Sequence, residues 1–205
     1  DKTTTLKFFS IDAQSNIESI KTLEFVIDTQ PAISRTNISS GVYNKAQNLT
    51  ITSNEITTLY FTLDGSTPTI QSSIFSSAIT VDQTTLVKFF SIDLANNIES
   101  VKQELISIDT INPTSSSSIT TGNYNTTQVV NLNSSETAQI YFTTDSSTPT
   151  LQSQVFSSPL SIENSTTIKF FAKDLAGNIE QKVNSISLVI DRQSPVTTPS
   201  VASGG

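Results

Sequence analysis

A phrase repeated at a fixed spacing is the feature that most constrains the fold of this chain. The phrase Thr-Thr-Leu-Lys-Phe-Phe-Ser-Ile-Asp at 4–12 recurs with changes at 84–93 and 166–174. Its first phenylalanine stands at positions 8, 89 and 170, so the period is 81 residues. A second phrase, at 60–69, recurs at 141–150 with the same offset. Short solenoid repeats have shorter periods, so the sequence predicts tandem domains.

The period divides the chain into two complete and two partial modules. We expect complete β-sandwich modules at 29–109 and 110–191. Residues 1–28 match the closing strands of a module, and 192–205 match the opening strand or a linker of a next one. Two strands alone bury little apolar surface. We therefore expect 1–28 to be covered by neighbouring modules of the same chain or by an identical subunit, and the array to continue in both directions.

Strand signals with period two run through each module, and no helical periodicity interrupts them. In the first complete module we predict strands at 49–51, 59–63, 75–81, 86–92 and 98–108. About seven short strands with regular turn signals predict an all-β fold of tandem Ig-like or fibronectin-like antiparallel β-sandwiches. The comparison of copies predicts one additional residue at Val87 and another between Ile179 and Asp191.

Composition argues against catalysis and against several classes of partner. The chain has no Cys, His, Met or Trp, which removes most side chains used in nucleophilic catalysis and transition-metal binding. Ser and Thr make up about a third of the residues, and the net charge is −7. Because the 11 basic residues are scattered, we expect neither nucleic acid nor an anionic membrane as a partner. No apolar run is long enough to span a bilayer, so membrane insertion is not expected.

The phrases YFTLDGSTPT and TTIKFFAKDLAGNIE resemble the chitobiase/β-hexosaminidase C-terminal-type repeat of prokaryotic secreted and cell-surface proteins. The resemblance covers nearly the whole chain, although Ser146 replaces Gly65 in the second copy of the first phrase. It implies Ig-like sandwiches without catalytic residues of their own, used as spacers, stalks or accessory domains. It also implies an extracellular or cell-surface location.

An Asp-x-x-x-Asn-x-Glu pattern recurs after the phenylalanine phrase and admits two interpretations. Calcium takes six to eight oxygen ligands, and the candidate ligands are Asp93, Asn97, Glu99, Asp174, Asn178 and Glu180. Asp109 or Asp191 at a module junction adds a carboxylate. In the alternative, Asp93 and Asn97 cap their own turn through side-chain to backbone hydrogen bonds. The residues predicted for the strained backbone position of that turn are Ser15, Asn96 and Gly177.

Other motifs have simpler interpretations. Asp64 begins a turn with Gly65, because glycine accepts positive φ and the Asp carboxylate accepts backbone N–H groups. The tripeptide Asn-x-Ser/Thr occurs five times, and it matters only where a glycosylation system acts on the chain. The glycosylation candidates are Asn37, Asn48, Asn125, Asn133 and Asn164.

Alternation in the phenylalanine phrase places Phe8 and Phe9 on opposite faces of the strand, so both faces are partly apolar. One face must serve the core. The other, which carries Phe9 with Ile11 and Phe90 with Ile92, either packs on a neighbouring module or is covered within its own domain.

Two functions remain open. The first is a structural or adhesive extracellular repeat array, such as a stalk, a surface filament or an adhesin shaft, without catalysis or a required cofactor. The second is an accessory module of a secreted glycoside hydrolase, associated with carbohydrate. Sugar-binding faces present exposed aromatic platforms, and the chain has no Trp and four Tyr, which counts against the second.

Overall fold

The computed structural model describes residues 2–198, and within that range the regular secondary structure consists of β-strands. No helix in this range is long and apolar enough to cross a membrane. The chain divides into two compact units, Asp1–Asp109 and Thr110–Gly205. The segment 192–205, predicted as the opening strand or linker of a next module, has no regular structure at 192–198, and its remainder, including Val201, lies outside the described residues.

The first unit contains a hairpin followed by a nine-strand module. The strands are β1 (Lys2–Phe8), β2 (Lys21–Ile27), β3 (Ser34–Thr36), β4 (Gly41–Tyr43), β5 (Gln47–Leu49), β6 (Ile51–Ser53), β7 (Thr57–Thr62), β8 (Ser73–Ile74), β9 (Ile79–Val81), β10 (Thr85–Asp93) and β11 (Lys102–Ile108).

The second unit contains another nine-strand module with the same order of elements. The strands are β12 (Ser115–Ser117), β13 (Gly122–Tyr124), β14 (Gln128–Val130), β15 (Leu132–Ser134), β16 (Ala138–Thr143), β17 (Gln154–Val155), β18 (Leu160–Ile162), β19 (Thr166–Asp174) and β20 (Asn184–Ile190).

Each module is a two-layer sandwich of the predicted Ig-like or fibronectin-like class. In the first module, one layer is a five-stranded sheet in the order β4-β11-β10-β7-β8. The other layer consists of the strand pairs β3–β6 and β5–β9. The core between the layers contains Leu49, Ile51, Leu59, Val81, Val87, Phe89 and Ile106. Because alternate residues of a strand face opposite sides, Val87 and Phe89 of β10 reach this core together.

One pairing differs from the predicted antiparallel arrangement. β4 pairs with β11 in parallel, with Gly41 opposite Ile106 and Tyr43 opposite Ile108. The second module repeats this pairing between β13 and β20. The sheet is therefore mixed, and the strand near the start of each module lies beside its last strand.

Two finer sequence predictions need correction, and a third is confirmed. The strand predicted at 75–81 is shorter, because β8 ends at Ile74 and β9 begins only at Ile79. Val87 is not an insertion, since β10 and β19 both have nine residues and the same burial pattern. The insertion predicted after Ile179 is present, because β20 begins one residue later than the 81-residue period places it.

The second apolar face of the phenylalanine strand is covered within each module. Phe90 is 5% exposed and its ring stacks on Tyr60, with centroids 5.2 Å apart. Phe171 is 7% exposed and stacks on Tyr141. An exposed stripe for lateral packing is therefore wrong at these two positions. In the first hairpin the equivalent Phe9 is 51% exposed.

Candidate functional site

A hydrogen-bonded geometry that recurs in both modules lies at the turn that follows the phenylalanine strand. Asp93 accepts hydrogen bonds from the backbone N–H groups of Ala95, at 2.9 Å, and Asn97, at 2.8 Å. The Asn97 side chain donates to the other Asp93 carboxylate oxygen at 2.9 Å. Asn96 has φ of 68°, and the equivalent Ser15 and Gly177 also have positive φ. These bonds are the ones that the turn-capping interpretation predicts, and the three residues predicted for the strained position occupy it.

The glutamate of the pattern has a different role from the aspartate. Glu99 is 7% exposed, and its carboxylate accepts hydrogen bonds from the Ser34 N–H at 2.9 Å and from the Ser34 hydroxyl. It also accepts one from the Ser91 hydroxyl at 2.9 Å and forms an ion pair with Lys102 at 2.6 Å. We call this group of Glu99, Ser34, Ser91 and Lys102 the glutamate latch. It fastens the first strand of the module, β3, to its closing strands.

The glutamate latch also sets the protonation of its carboxylate. Burial alone raises the pKa of Glu99, but donation from Lys102, Ser34 and Ser91 outweighs burial and holds the pKa below its usual value. Glu99 therefore stays ionised at neutral pH, where a carboxylate accepts hydrogen bonds most strongly.

The second module builds an equivalent latch with different donors. Glu180 accepts hydrogen bonds from the Ser115 N–H at 2.9 Å and from its hydroxyl. The Ala172 N–H and the Asn184 side chain supply the other two, at 2.9 and 2.7 Å. Asn184 also donates to the Ser115 carbonyl at 3.1 Å, as Lys102 does to the Ser34 carbonyl at 2.6 Å. Both modules therefore join the opening strand to the closing strands in the same way, but the donor is the charged Lys102 in the first and the neutral Asn184 in the second.

The first hairpin carries part of the same latch. Glu18 accepts a hydrogen bond from the Ser10 hydroxyl at 2.9 Å and forms an ion pair with Lys21. Donation from Lys21 and then Ser10 holds the pKa of Glu18 below its usual value. These partners match Ser91 and Lys102 of the complete latch.

The predicted calcium ligands are not brought together as one group. Glu99 is bound in the latch, whereas the carboxylates that approach Asp93 belong to Asp28 and Glu55. One oxygen from each of these three carboxylates lies within 4.8 Å of the others. Asn97 also donates to the Asp28 carbonyl at 3.2 Å. Asp174 and Asn178 repeat the turn bonds of Asp93 and Asn97, with the Asn178 side chain donating to Asp174 at 2.8 Å. Calcium binding stays a prediction, with Asp28 and Glu55 as ligands that sequence reasoning missed.

The five glycosylation candidates are all exposed, namely Asn37, Asn48, Asn125, Asn133 and Asn164. Asn37 differs from the rest, because its side-chain nitrogen donates to the Asn48 carbonyl at 3.0 Å and its oxygen accepts from the Thr50 N–H at 2.7 Å. A glycan is attached through that nitrogen, so modification of Asn37 would cost these contacts.

The loop that begins at Asp64 has the geometry of a turn. Its carboxylate accepts from the Ser66 N–H at 3.0 Å and the Ser66 hydroxyl at 2.5 Å, and Gly65 has φ of 77°. These hydrogen bonds, the hydroxyl first, hold the pKa of Asp64 below its usual value. Asp145 repeats the bonds with Ser147, and Ser146 takes the left-handed position at φ of 69°.

The sequence singled out Glu99 and Glu180 as candidate ligands, but it did not identify Ser34 and Ser115 as the residues that hydrogen-bond to them. Ser34 and Ser115 each stand six positions after the junction aspartates, Asp28 and Asp109, and Thr197 stands six after Asp191. This spacing was the available signal for the opening-strand partner.

A family model described as the chitobiase/β-hexosaminidase C-terminal domain matches residues 38–103 and 119–184. None of the curated proteins compared with the chain matches it.

Several solved structures are similar at low sequence identity. Fibronectin(III)-like modules of Clostridium thermocellum CbhA are 13% identical, with a TM-score of 0.40, over 82% of this chain and 100% of that one. A chimeric titin Z1Z2 is 11% identical, with a TM-score of 0.29, over 80% of this chain and 99% of that one. Domains 7, 8 and 9 of the S-layer protein SbsC are 10% identical, with a TM-score of 0.23, over 92% of this chain and 70% of that one.

Proposed function

Because the chain belongs to the chitobiase/β-hexosaminidase C-terminal domain family, we propose that it is a non-catalytic, extracellular array of load-bearing modules. In this role it is a shaft or spacer that holds other parts of a secreted or cell-surface protein at a distance. Family membership supports the accessory role and the location. The mechanical role is supported by the strand pairing inside each module.

The observation that carries the proposal is the parallel pairing of β4 with β11. Tension enters a module at its first strands and leaves at its last. Pulling β4 toward its amino end and β11 toward its carboxyl end slides two parallel strands past each other, so their hydrogen bonds are loaded together. The Asp109 N–H extends the ladder by donating to the Tyr43 carbonyl at 2.9 Å. A module of this design resists tension better than one whose end strands unzip one bond at a time.

The glutamate latch adds a second tie between the two ends of each module. Ser34 lies in the first strand, Glu99 lies between β10 and β11, and Lys102 is the first residue of β11. Sliding the first strand away requires the Ser34 N–H and the buried Glu99 carboxylate to part without immediate hydration, which is costly. The second module has both ties, through β13 with β20 and through Ser115 with Glu180.

The tyrosines favour this role over sugar binding. Tyr60 and Tyr141 stack on Phe90 and Phe171 within the modules. Tyr43 and Tyr124 are half-buried, and Tyr43 donates its hydroxyl to the Ser39 carbonyl at 2.7 Å. A carbohydrate platform needs an open ring face, so the arrangement gives the sugar-binding alternative no support.

Single-molecule pulling on the chain, with handles before residue 29 and after residue 191, tests the proposal. We expect two unfolding events, each releasing about 290 Å less the folded length of the module, from an extension of about 3.6 Å per residue. The variant Gly41→Pro removes an N–H from the parallel ladder of the first module, because the backbone groups of Gly41 and Tyr43 face β11. It should lower the force of one event and leave the other unchanged.

The matched control is Ile79→Ala, which loosens the same core away from the parallel pair. Gly122→Pro makes the Gly41→Pro change in the second module. If Ile79→Ala weakens the event as much as Gly41→Pro does, the parallel pair is not the element that bears the load.

A further inference from the structure

The hairpin of β1 and β2 presents the face that a complete module buries. Val87, Phe89 and Ile106 are 0%, 2% and 0% exposed in the first module. Their equivalents in the hairpin, Leu6, Phe8 and Phe25, are 48%, 46% and 45% exposed. In the module, Leu49, Ile51 and Val81 of the facing layer cover these positions. The hairpin therefore has an exposed apolar face, and the facing layer of the complete module shows what kind of surface can cover it.

At the polar end of that face, Glu18 has part of the hydrogen-bonding arrangement that binds the opening strand in a complete module. Around Glu99, two of the donors come from the closing hairpin itself, Ser91 and Lys102. The remaining donors are the N–H and hydroxyl of Ser34, in the opening strand. Glu18 already holds the equivalents of the first two, Ser10 and Lys21. Within residues 2–198, the Glu18 carboxylate accepts no hydrogen bond from an opening strand.

We propose that the hairpin of β1 and β2 is a docking surface for the opening strands of a module of this type, equivalent to residues 29–81. These strands present the N–H and hydroxyl of a Ser or Thr to Glu18, and apolar residues like those of β5, β6 and β9 to Leu6 and Phe8. Strands equivalent to β7 and β4 pair with the two edges of the hairpin, as they pair with β10 and β11 in the complete module, and such main-chain pairing gives affinity in strand addition. The inference rests on the proposed array and deepens it by naming the residue that recognises the neighbouring segment.

Chemistry favours a Ser- or Thr-bearing strand over a second copy of the hairpin. Two hairpins packed face to face would cover Phe8 and Phe25, but the hairpin has no counterpart of Ser34, whose N–H and hydroxyl bind the carboxylate of the complete latch. The hydroxyl and the N–H of one Ser or Thr would supply the two hydrogen bonds that the Glu18 carboxylate lacks, and they would add no charge. Ser34 and Ser115 supply this pair in the two complete modules, and Thr197 has the same spacing from its junction aspartate.

The test joins a copy of residues 29–81 to the amino end of the chain. Asp1, Thr3 and Thr4 align with Asp82, Thr84 and Thr85, so the joint keeps the register of a complete module. Hydrogen exchange of the Leu6 and Phe8 amides is then compared with that of the unextended chain. We expect exchange to slow by at least about a hundredfold, as for amides that open only when a domain unfolds.

Variants of the extended chain test Glu18 itself. Glu18→Ala, or Ser34→Ala in the added copy, should speed exchange at Leu6 about tenfold or more. The two changes together should add little to either one, because they remove the same contact. Glu24→Ala, an exposed change on the same hairpin, is the matched control and should leave exchange unchanged.

Three results would overturn the proposal. The first is unchanged exchange on extension, and the second is a Glu18→Ala variant as protected as its parent. The third is a concentration-dependent dimer of the unextended chain that protects Phe8, which would make a second copy the occupant. None of them depends on the pulling events of residues 29–191, so this inference and the proposed function fail separately.

Discussion

The hairpin β1–β2 and the hairpin β10–β11 have related sequences and very different environments. Phe8 is 46% exposed, whereas Phe89 is 2% exposed. β1 ends at Phe8, but β10 continues to Asp93, because β7 pairs with its second half from Lys88 onward. The same phrase thus forms a shorter, open strand or a longer, buried one.

The difference shows that the phrase does not fold its surroundings by itself. A two-stranded hairpin is marginally stable in water. In the complete module, the β10–β11 hairpin is stabilised by three contacts that the first hairpin lacks. These are the packing of the facing layer, the pairing with β7 and the opening strand bound by Glu99. Four predictions test this contrast, and three of them compare a module residue with its hairpin counterpart.

The largest effect is expected from deleting the core phenylalanine. Phe89→Ala should lower the free energy of unfolding of the first module by about 3–5 kcal/mol, since it removes a buried ring and leaves a cavity. Phe8→Ala should change module stability by less than about 0.5 kcal/mol. Urea unfolding of both variants measures the difference. Equal losses would contradict the assignment of Phe8 to an open face.

The next effect concerns the glutamate latch. Glu99→Ala leaves the buried Ser34 N–H and the Ser91 hydroxyl without their acceptor, which should cost about 1–3 kcal/mol. Glu18→Ala in the unextended chain should change unfolding within about 0.5 kcal/mol. Thermal unfolding is the measurement, and a Glu99→Ala module as stable as its parent would show that the latch does not stabilise the fold.

Acid should weaken the first module through Asp93 and Glu99. Burial raises the pKa of each, but hydrogen bonds outweigh it, so both pKa values lie below the ordinary 3.8 and 4.5. Their contributions are full above those ordinary values and are lost as pH falls through the lower folded ones. Urea midpoints should therefore decline below about pH 4.5. Glu99→Gln should flatten part of that decline, and an identical decline in that variant would remove Glu99 from the explanation.

The smallest effect is that of calcium on Asp28, Glu55 and Asp93. A site with a Kd of about 1 mM, typical of extracellular modules, would add about 0.6 kcal/mol at about 2 mM calcium. The melting temperature should then rise with calcium and fall with chelator, and Glu55→Gln should abolish the rise. Asp12, the hairpin counterpart of Asp93, is bound by Asn16 and is expected to contribute nothing. An unchanged melting temperature would leave Asp93 and Asp174 as turn residues.

The sandwich class and the turn geometry were predictable because they depend on local signals. Alternation marks strands, and Asp93 with Asn97 forms its turn within five residues. The parallel pairing of β4 with β11 was not predictable, because it joins segments more than 60 residues apart. The partners of Glu99 were missed for the same reason, since Ser34 is far from it in sequence and looks like any of many serines.

The break between β8 and β9 and the cover of Phe90 depend on tertiary packing. Phe75 still donates its N–H to the Leu59 carbonyl of β7 at 2.9 Å, and its ring packs edge-on to Phe61 in the core. The chain then crosses to the other layer, where β9 pairs with β5. Phe90 is shielded by stacking on Tyr60, a cross-strand pairing that alternation alone does not specify.

Native-state hydrogen exchange on the unaltered chain tests the central contrast most directly. The account predicts that the amides of Val87 and Phe89 exchange only through unfolding of the module, and that those of Leu6 and Phe8 exchange orders of magnitude faster. Spectra at two protein concentrations show whether association contributes. Equal protection of Phe8 and Phe89 in the monomer would contradict the account, because the hairpin would then be stable without the strands that complete a module.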